Sequence, residues 1–148
     1  MEPISPEPTW TQQRPRLRAV PGGADVASAF RQAFQNSPLG MALVDLDGQF
    51  ARVNDAFCEM TGYAEPNLLA LGFHQVVHPG DVDAVVDRVH AMLAGDLQAE
   101  RWGRRLVRAD GQHISVMIAV SLVRSSDGEP AQLFAQLYDA RRLTPSRP

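Results

Sequence analysis

Between His113 and Arg124 the side chains alternate strictly. Ile114, Val116, Ile118, Val120 and Leu122 point one way, and His113, Ser115, Met117, Ala119 and Ser121 the other. A period of two over ten residues is the signature of a strand with one buried face. A strand that long cannot stand alone. Glu100–Arg108 before it and Ala131–Asp139 after it also read as strands, joined by turns at Asp110-Gly111 and Ser126-Asp127-Gly128. The C-terminal third is therefore three antiparallel strands.

The preceding residues change period. Val26, Ala29, Phe30, Ala33 and Phe34 recur at helical spacing and predict a helix over Asp25–Gln35, stopped by Asn36-Ser37-Pro38. Two short strands follow, Gly40–Asp45 and Gln49–Val53, around an Asp-Gly turn. Asn54 and Asp55 stand where a helix cap belongs, before a helix Ala56–Thr61 that Gly62 ends. Ala64–Leu71 reads as a further short helix and Phe73–Gly80 as irregular chain. A longer helix from about Asp81 to Gly95 buries Val82, Val85, Val86, Val89 and Leu93. Grouped strands and grouped helices predict an α+β domain. Residues 1–23, with five prolines, read as a lead-in. Residues 24–142 read as the domain, and 143–148 as the start of a linker or tail.

Composition narrows the function. Apolar residues make up 45% of the 148, enough for a core. A net charge of −3 argues against a nucleic-acid partner. The runs Arg14–Arg18 and Arg101–Arg108 read as solvated charge. The single cysteine, Cys58, permits no internal disulfide, and no apolar run approaches the ~20 residues of a membrane span. A cytoplasmic protein without a membrane partner is expected.

The segment Gly40-Met41-Ala42-Leu43-Val44-Asp45-Leu46-Asp47-Gly48, followed by Val53-Asn54-Asp55-Ala56-Phe57-Cys58-Glu59-Met60-Thr61-Gly62-Tyr63, resembles the strand–DxxG–strand–NxAFxxxTGY signature of the PAS family. His78-Pro79-Gly80-Asp81 is similar to that family's HPxD helix start, Arg108-Ala109-Asp110-Gly111 to its RxDG hairpin, and Asp139-Ala140-Arg141 stands where it often has DIT. The order and spacing of these motifs cover Asp25 to Arg142. The resemblance implies a five-stranded antiparallel sheet with helices on one face, enclosing a pocket, and a signal junction at Asp139. The inner wall it implies comprises Ala42, Val44, Phe57, Leu106, Val116, Ile118, Val120, Leu133, Ala135 and Leu137, with Phe73 as a further large inner residue. It also implies a sensory role without catalysis, and an effector domain following in a longer protein.

Residues that suggest chemistry each have a plainer reading. Light-sensing members of the family carry a cysteine in GxNC; here Gly72-Phe73-His74-Gln75 puts Gln75 in its place, and Cys58 reads as a small core hydrophobe. His90 is on the long helix, but the haem sensors of the family place their ligand earlier, where this chain has Ala84. Trp102 reads as packing surface, with stacking on a non-covalent flavin as the alternative. His74 and His78 lack a third ligand, so no metal is expected. Asp45 and Asp47 read as turn residues bonding local backbone. There is no GxSxG, HExxH or phosphate-binding glycine loop. The expectation is a sensor binding a small apolar molecule or acyl chain, with no cofactor. The alternatives are a ligand-free dimerisation scaffold and a non-covalent flavin or haem sensor. A cavity of a few hundred Å³ would favour the ligand. Val26, Ala29, Phe30, Ala33 and Phe34 form the expected interface of a homodimer, with packing on the chain's own sheet as the alternative.

Overall fold

The computed structural model describes residues 22–95 and 99–143. The proline-bearing lead-in up to residue 21 and the tail from 144 lie outside the described residues. The elements are α1 (Gly22–Asn36), β1 (Gly40–Asp45), β2 (Phe50–Val53), α2 (Asp55–Thr61), α3 (Glu65–Leu69), α4 (Phe73–Val76), a 3₁₀ turn (Pro79–Asp81), α5 (Val82–Leu93), β3 (Ala99–Val107), β4 (His113–Arg124), β5 (Pro130–Asp139) and a final 3₁₀ turn (Ala140–Leu143). The described residues fall into two compact units, divided between Arg31 and Gln32. Gly22 and Gly23 belong to the first turn of α1 rather than to a lead-in.

The strands make one antiparallel sheet in the order β2-β1-β5-β4-β3. Its register builds a continuous inner face. Trp102 pairs with Ile118, Ile118 with Leu137, and Leu137 with Gly40. In the next row Val120 pairs with Ala135, and Ala135 with Ala42. Val116, Ile118 and Val120 are all buried, as the alternation of β4 predicts. Gly48, Gly111 and Gly128 turn the three hairpins at φ of 93°, 87° and 88°, a region that side chains with a Cβ rarely adopt.

Two expectations need correction. Phe73–Val76 is a helical turn, not irregular chain, because the Gln75 Oε1 accepts from Gly72 N at 2.8 Å and caps it. Phe34 is not available to a second chain. It is 1% exposed, and its ring lies 6.4 Å from Phe134, on the outer face of β5. Val26 and Phe30 are exposed, as are Ala29 and Ala33.

The free edge of β3 is held by the turn before α5. His78 N donates to Arg105 O, and Asp81 accepts from the Arg105 backbone N at 2.9 Å and from its guanidinium at 2.9 and 3.1 Å. Covered edges of this kind do not template further strands. The Arg105 side-chain hydrogen bond is the main reason the Asp81 carboxyl titrates low, at about 2. A carboxyl whose folded pKa is depressed stabilises the fold above its unfolded value, and that contribution fades as pH falls toward the folded value. Asp81→Asn should therefore be less stable than wild type at pH 6, with the gap closing between about pH 4 and pH 2 in urea titrations. A gap independent of pH would show that the carboxylate's charge contributes nothing.

Candidate functional site

The helix α2 is fixed at both ends, and with it Phe57. Asn54 is fully buried at its N-terminus. The Asn54 Oδ1 accepts from Phe57 N and Met41 N, both at 2.9 Å. Its Nδ2 donates to Phe34 O at 2.8 Å and Leu39 O at 2.9 Å. One amide thus ties the end of α1, the start of β1 and the first turn of α2 together. At the other end Gly62 closes the helix at φ 77° and donates to Cys58 O. Arg108 reaches across from its hairpin to donate to Met60 O at 2.7 Å, satisfying a last-turn carbonyl. Ala109 N donates to Thr61 O at 2.8 Å. The NxAFxxxTG and RxDG motifs are two halves of one clamp on this helix.

Between the clamped helix, α4, α5 and the inner face of the sheet lies an apolar cavity of about 60 Å³. Nine of the residues expected to line a pocket meet there: Val44, Phe57, Phe73, Leu106, Ile118, Val120, Leu133, Ala135 and Leu137. Ala42 and Val116 do not reach it. They face the same way, but Ala42 has a single side-chain carbon. Val116 sits one pleat beyond Ile118, in the row of Asp139, and both are packed solid in the core. Phe50, Val76, Val77, Val85, Val89 and Trp102 line the cavity and were missed by sequence reasoning. Val85 and Val89 carry a signal, the buried stripe of the long helix. Trp102 carries one in its in-register place before Leu106 on the strand.

The volume falls short of the few hundred Å³ that would favour a ligand over a pocket filled by side chains. Cavities that admit benzene are about 150 Å³, so an acyl chain does not fit the space as it stands.

The other candidates take up plainer work. Gln75 caps α4, as above. His90 is exposed, while Val89 beside it lines the cavity. Cys58 is half-buried, and burial, with Glu65, Asp55 and Glu59 nearby, pushes its thiol pKa up, away from a reactive thiolate. His78 Nδ1 accepts from Gly80 N, and its ring meets His113 edge-on at 4.7 Å. Among the described residues no three His, Cys, Asp or Glu side chains are grouped to share a metal. Asp47 accepts from Gln49 N, and Asp45 from Gln132 Nε2. Asp139 accepts from Arg141 N at 2.9 Å and shapes the turn that leaves the sheet. Pro38 and Leu39, where the chain enters the sheet, line one surface groove with Asp139 and Arg141, where it leaves. Among the described residues no helix is long and apolar enough to cross a membrane.

Comparison with known proteins gives a consistent picture. The model of the family described as PAS fold matches residues 28–140. The probable diguanylate cyclase DgcE of Escherichia coli (strain K12) is 34% identical over 114 residues, covering 77% of this chain and 10% of that protein. The sensor histidine kinase TmoS of Ectopseudomonas mendocina is 26% identical over 110 residues, covering 74% of this chain and 11% of its own length. The chain therefore spans about a tenth of the curated relatives it matches. Among solved structures, the PAS domain of a protein from Colwellia psychrerythraea superposes with a TM-score of 0.74 at 14% identity, covering 80% of this chain and 99% of that one.

Proposed function

Since this chain belongs to the PAS family, whose model matches most of it, we propose that its apolar cavity binds a small apolar molecule and that the response leaves through the Asp139 turn to an effector domain. The observation that carries this reading is the cavity itself, set between sheet and helices and lined only by apolar and aromatic side chains. The matched segments of a cyclase and a histidine kinase support a signalling context. No catalytic role is assigned to the domain. It carries no chromophore in this reading, so the purified protein is colourless; a stoichiometric flavin or Soret band would overturn that.

The small volume supports a second reading, a ligand-free domain whose own side chains fill the pocket. Xenon and Ala135→Val separate the two, because Ala135 lines the cavity and added methyls occupy it. In the sensor reading xenon under pressure raises the melting temperature of the wild type and leaves Ala135→Val unmoved. In the ligand-free reading xenon moves neither.

Homodimerisation through α1 is part of the same proposal, now restricted to Val26, Ala29, Phe30 and Ala33. Phe30→Glu should give a folded monomer by light scattering. Phe34→Glu should instead lower stability by several kcal/mol, since it buries a charge against the sheet. A wild type that is monomeric at high micromolar concentration would remove the dimer.

A further inference from the structure

A surface groove of about 280 Å³ lies between the β1–β2 hairpin, α4 and α5, bordered among others by Leu46, Val86, Leu93, His74 and His90. Two residues, Phe73 and Val89, border both this groove and the apolar cavity. Both are half-buried and pack against the core, as a partition between the two spaces requires. On the proposed reading that the cavity is a ligand site, we propose that Phe73 is its door. The ring swings out into the groove, and the space it leaves joins the cavity to take an apolar molecule of about six to eight heavy atoms.

Of the two, Phe73 is the side chain free to turn. Val89 stands inside α5, where a valine holds one χ1 rotamer almost exclusively. Phe73 opens α4, a helix of four residues, and its backbone is fixed. Its N–H donates to Gly48 O at 2.9 Å, and its carbonyl accepts from Val77 N at 2.9 Å. Motion is thus confined to the ring. That ring leans on the bare Cα of Gly48, where a Cβ would stand 3.0 Å from its Cε1, and meets the His74 ring edge-on at 6.0 Å. A six-carbon ring needs about 150 Å³ in a protein cavity, less than the groove offers, so Phe73 turns out without moving the backbone. At benzene's ratio of about 25 Å³ per heavy atom the closed cavity holds about two atoms. Joined to the benzene-sized space that the ring vacates, it holds about six to eight. The ligand is apolar because no charged side chain borders the cavity, and a charged molecule would lose its hydration without gaining a partner.

Xenon and cyclohexane test this, because xenon fits the closed cavity and a six-carbon ring needs the open door. Each is titrated into the full chain and followed by ¹H–¹³C NMR. The Ile118 methyl groups, which line the cavity and not the groove, report entry, and the His74 ring, on the groove side of Phe73, reports the door. Both probes should move the Ile118 methyls, and cyclohexane alone should move the His74 ring. Phe73→Ala, checked for folding by circular dichroism, should bind cyclohexane at least about fivefold tighter, since no population is lost to a closed state. Val86→Phe fills the groove without reaching the cavity lining. It should keep xenon and bind cyclohexane at least about tenfold more weakly. Cyclohexane that binds with the His74 ring unmoved, or equally well in Val86→Phe, overturns the door while xenon uptake keeps the cavity as a site. Cyclohexane that enters Phe73→Ala but not the wild type overturns it too, since Phe73 is then a fixed wall. Exclusion of both probes from the wild type overturns the door and the sensor reading together. Should Phe73→Ala not fold, the wild type and Val86→Phe decide.

Discussion

Ile118→Asp is expected to abolish cooperative folding. Ile118 is 6% exposed, lies between Trp102 on β3 and Leu137 on β5, and faces the cavity. The substitution removes a buried branched side chain, which alone costs about 2–5 kcal/mol when truncated. It also brings in a carboxyl with no partner among the apolar side chains around it, adding several kcal/mol more or forcing the group to stay protonated. Against a total stability of roughly 5–15 kcal/mol the sum is decisive. Ile118→Val, which trims one methyl group, should cost about 1 kcal/mol and fold. Far-UV circular dichroism with urea titration reads both. A soluble Ile118→Asp protein with a wild-type transition would show that the inner face is wrongly placed.

The second large effect is expected at Asn54. Asn54→Ala removes an N-cap, worth about 1 kcal/mol by itself, strands the Met41 N–H and the Leu39 carbonyl, and takes a donor from the Phe34 carbonyl. At about 1–3 kcal/mol for each buried group left unpaired, and allowing for relaxation and water entry, a loss of about 3–5 kcal/mol is expected. Asn54→Asp makes the role of the nitrogen visible. It keeps an acceptor for Phe57 N and Met41 N but turns a carboxylate oxygen toward two carbonyl oxygens. That variant should be weak at neutral pH and recover partly in mild acid, where a protonated carboxyl donates again. If Asn54→Asp matched wild type at pH 7, the two Nδ2 bonds would carry no energy.

These two residues also mark what the sequence made legible. Ile118 could be placed because β4 alternates without interruption, and Asn54 because a cap, an aromatic and a closing glycine follow at helical spacing. β3 resisted the same reading. Glu100, Trp102, Arg104 and Leu106 share its inward face, so charge and bulk mix where alternation should separate them. Glu100 is tolerated there because Arg88 of α5 pairs with it at 3.2 Å. Val76 and Val77 both line the cavity as sequence neighbours, which the alternation of a strand does not allow. They do so because the chain leaves α4 there and forms an isolated bridge from Val77 to Leu106. Phe34 was assigned to a partner because its helical stripe is the same whether a sheet or a second chain covers it. Cavity volume was out of reach altogether, being a small residue left between large packed volumes.

The pairing of β1 with β5 has a mechanical consequence. Gly40, where the chain enters the sheet, is in register with Leu137, two residues before it leaves. The entry to the sheet and its exit are therefore spaced by one interstrand gap of about 4.8 Å, held by backbone hydrogen bonds. Lengthening that gap means tearing a central ladder, so the domain cannot act as an extensible spring. Placed in a longer polypeptide, it would hang to the side of the line joining its neighbours and add almost nothing to the distance between them. What it can pass on is torque: a change in the pitch or tilt of the two adjoining segments about a common root.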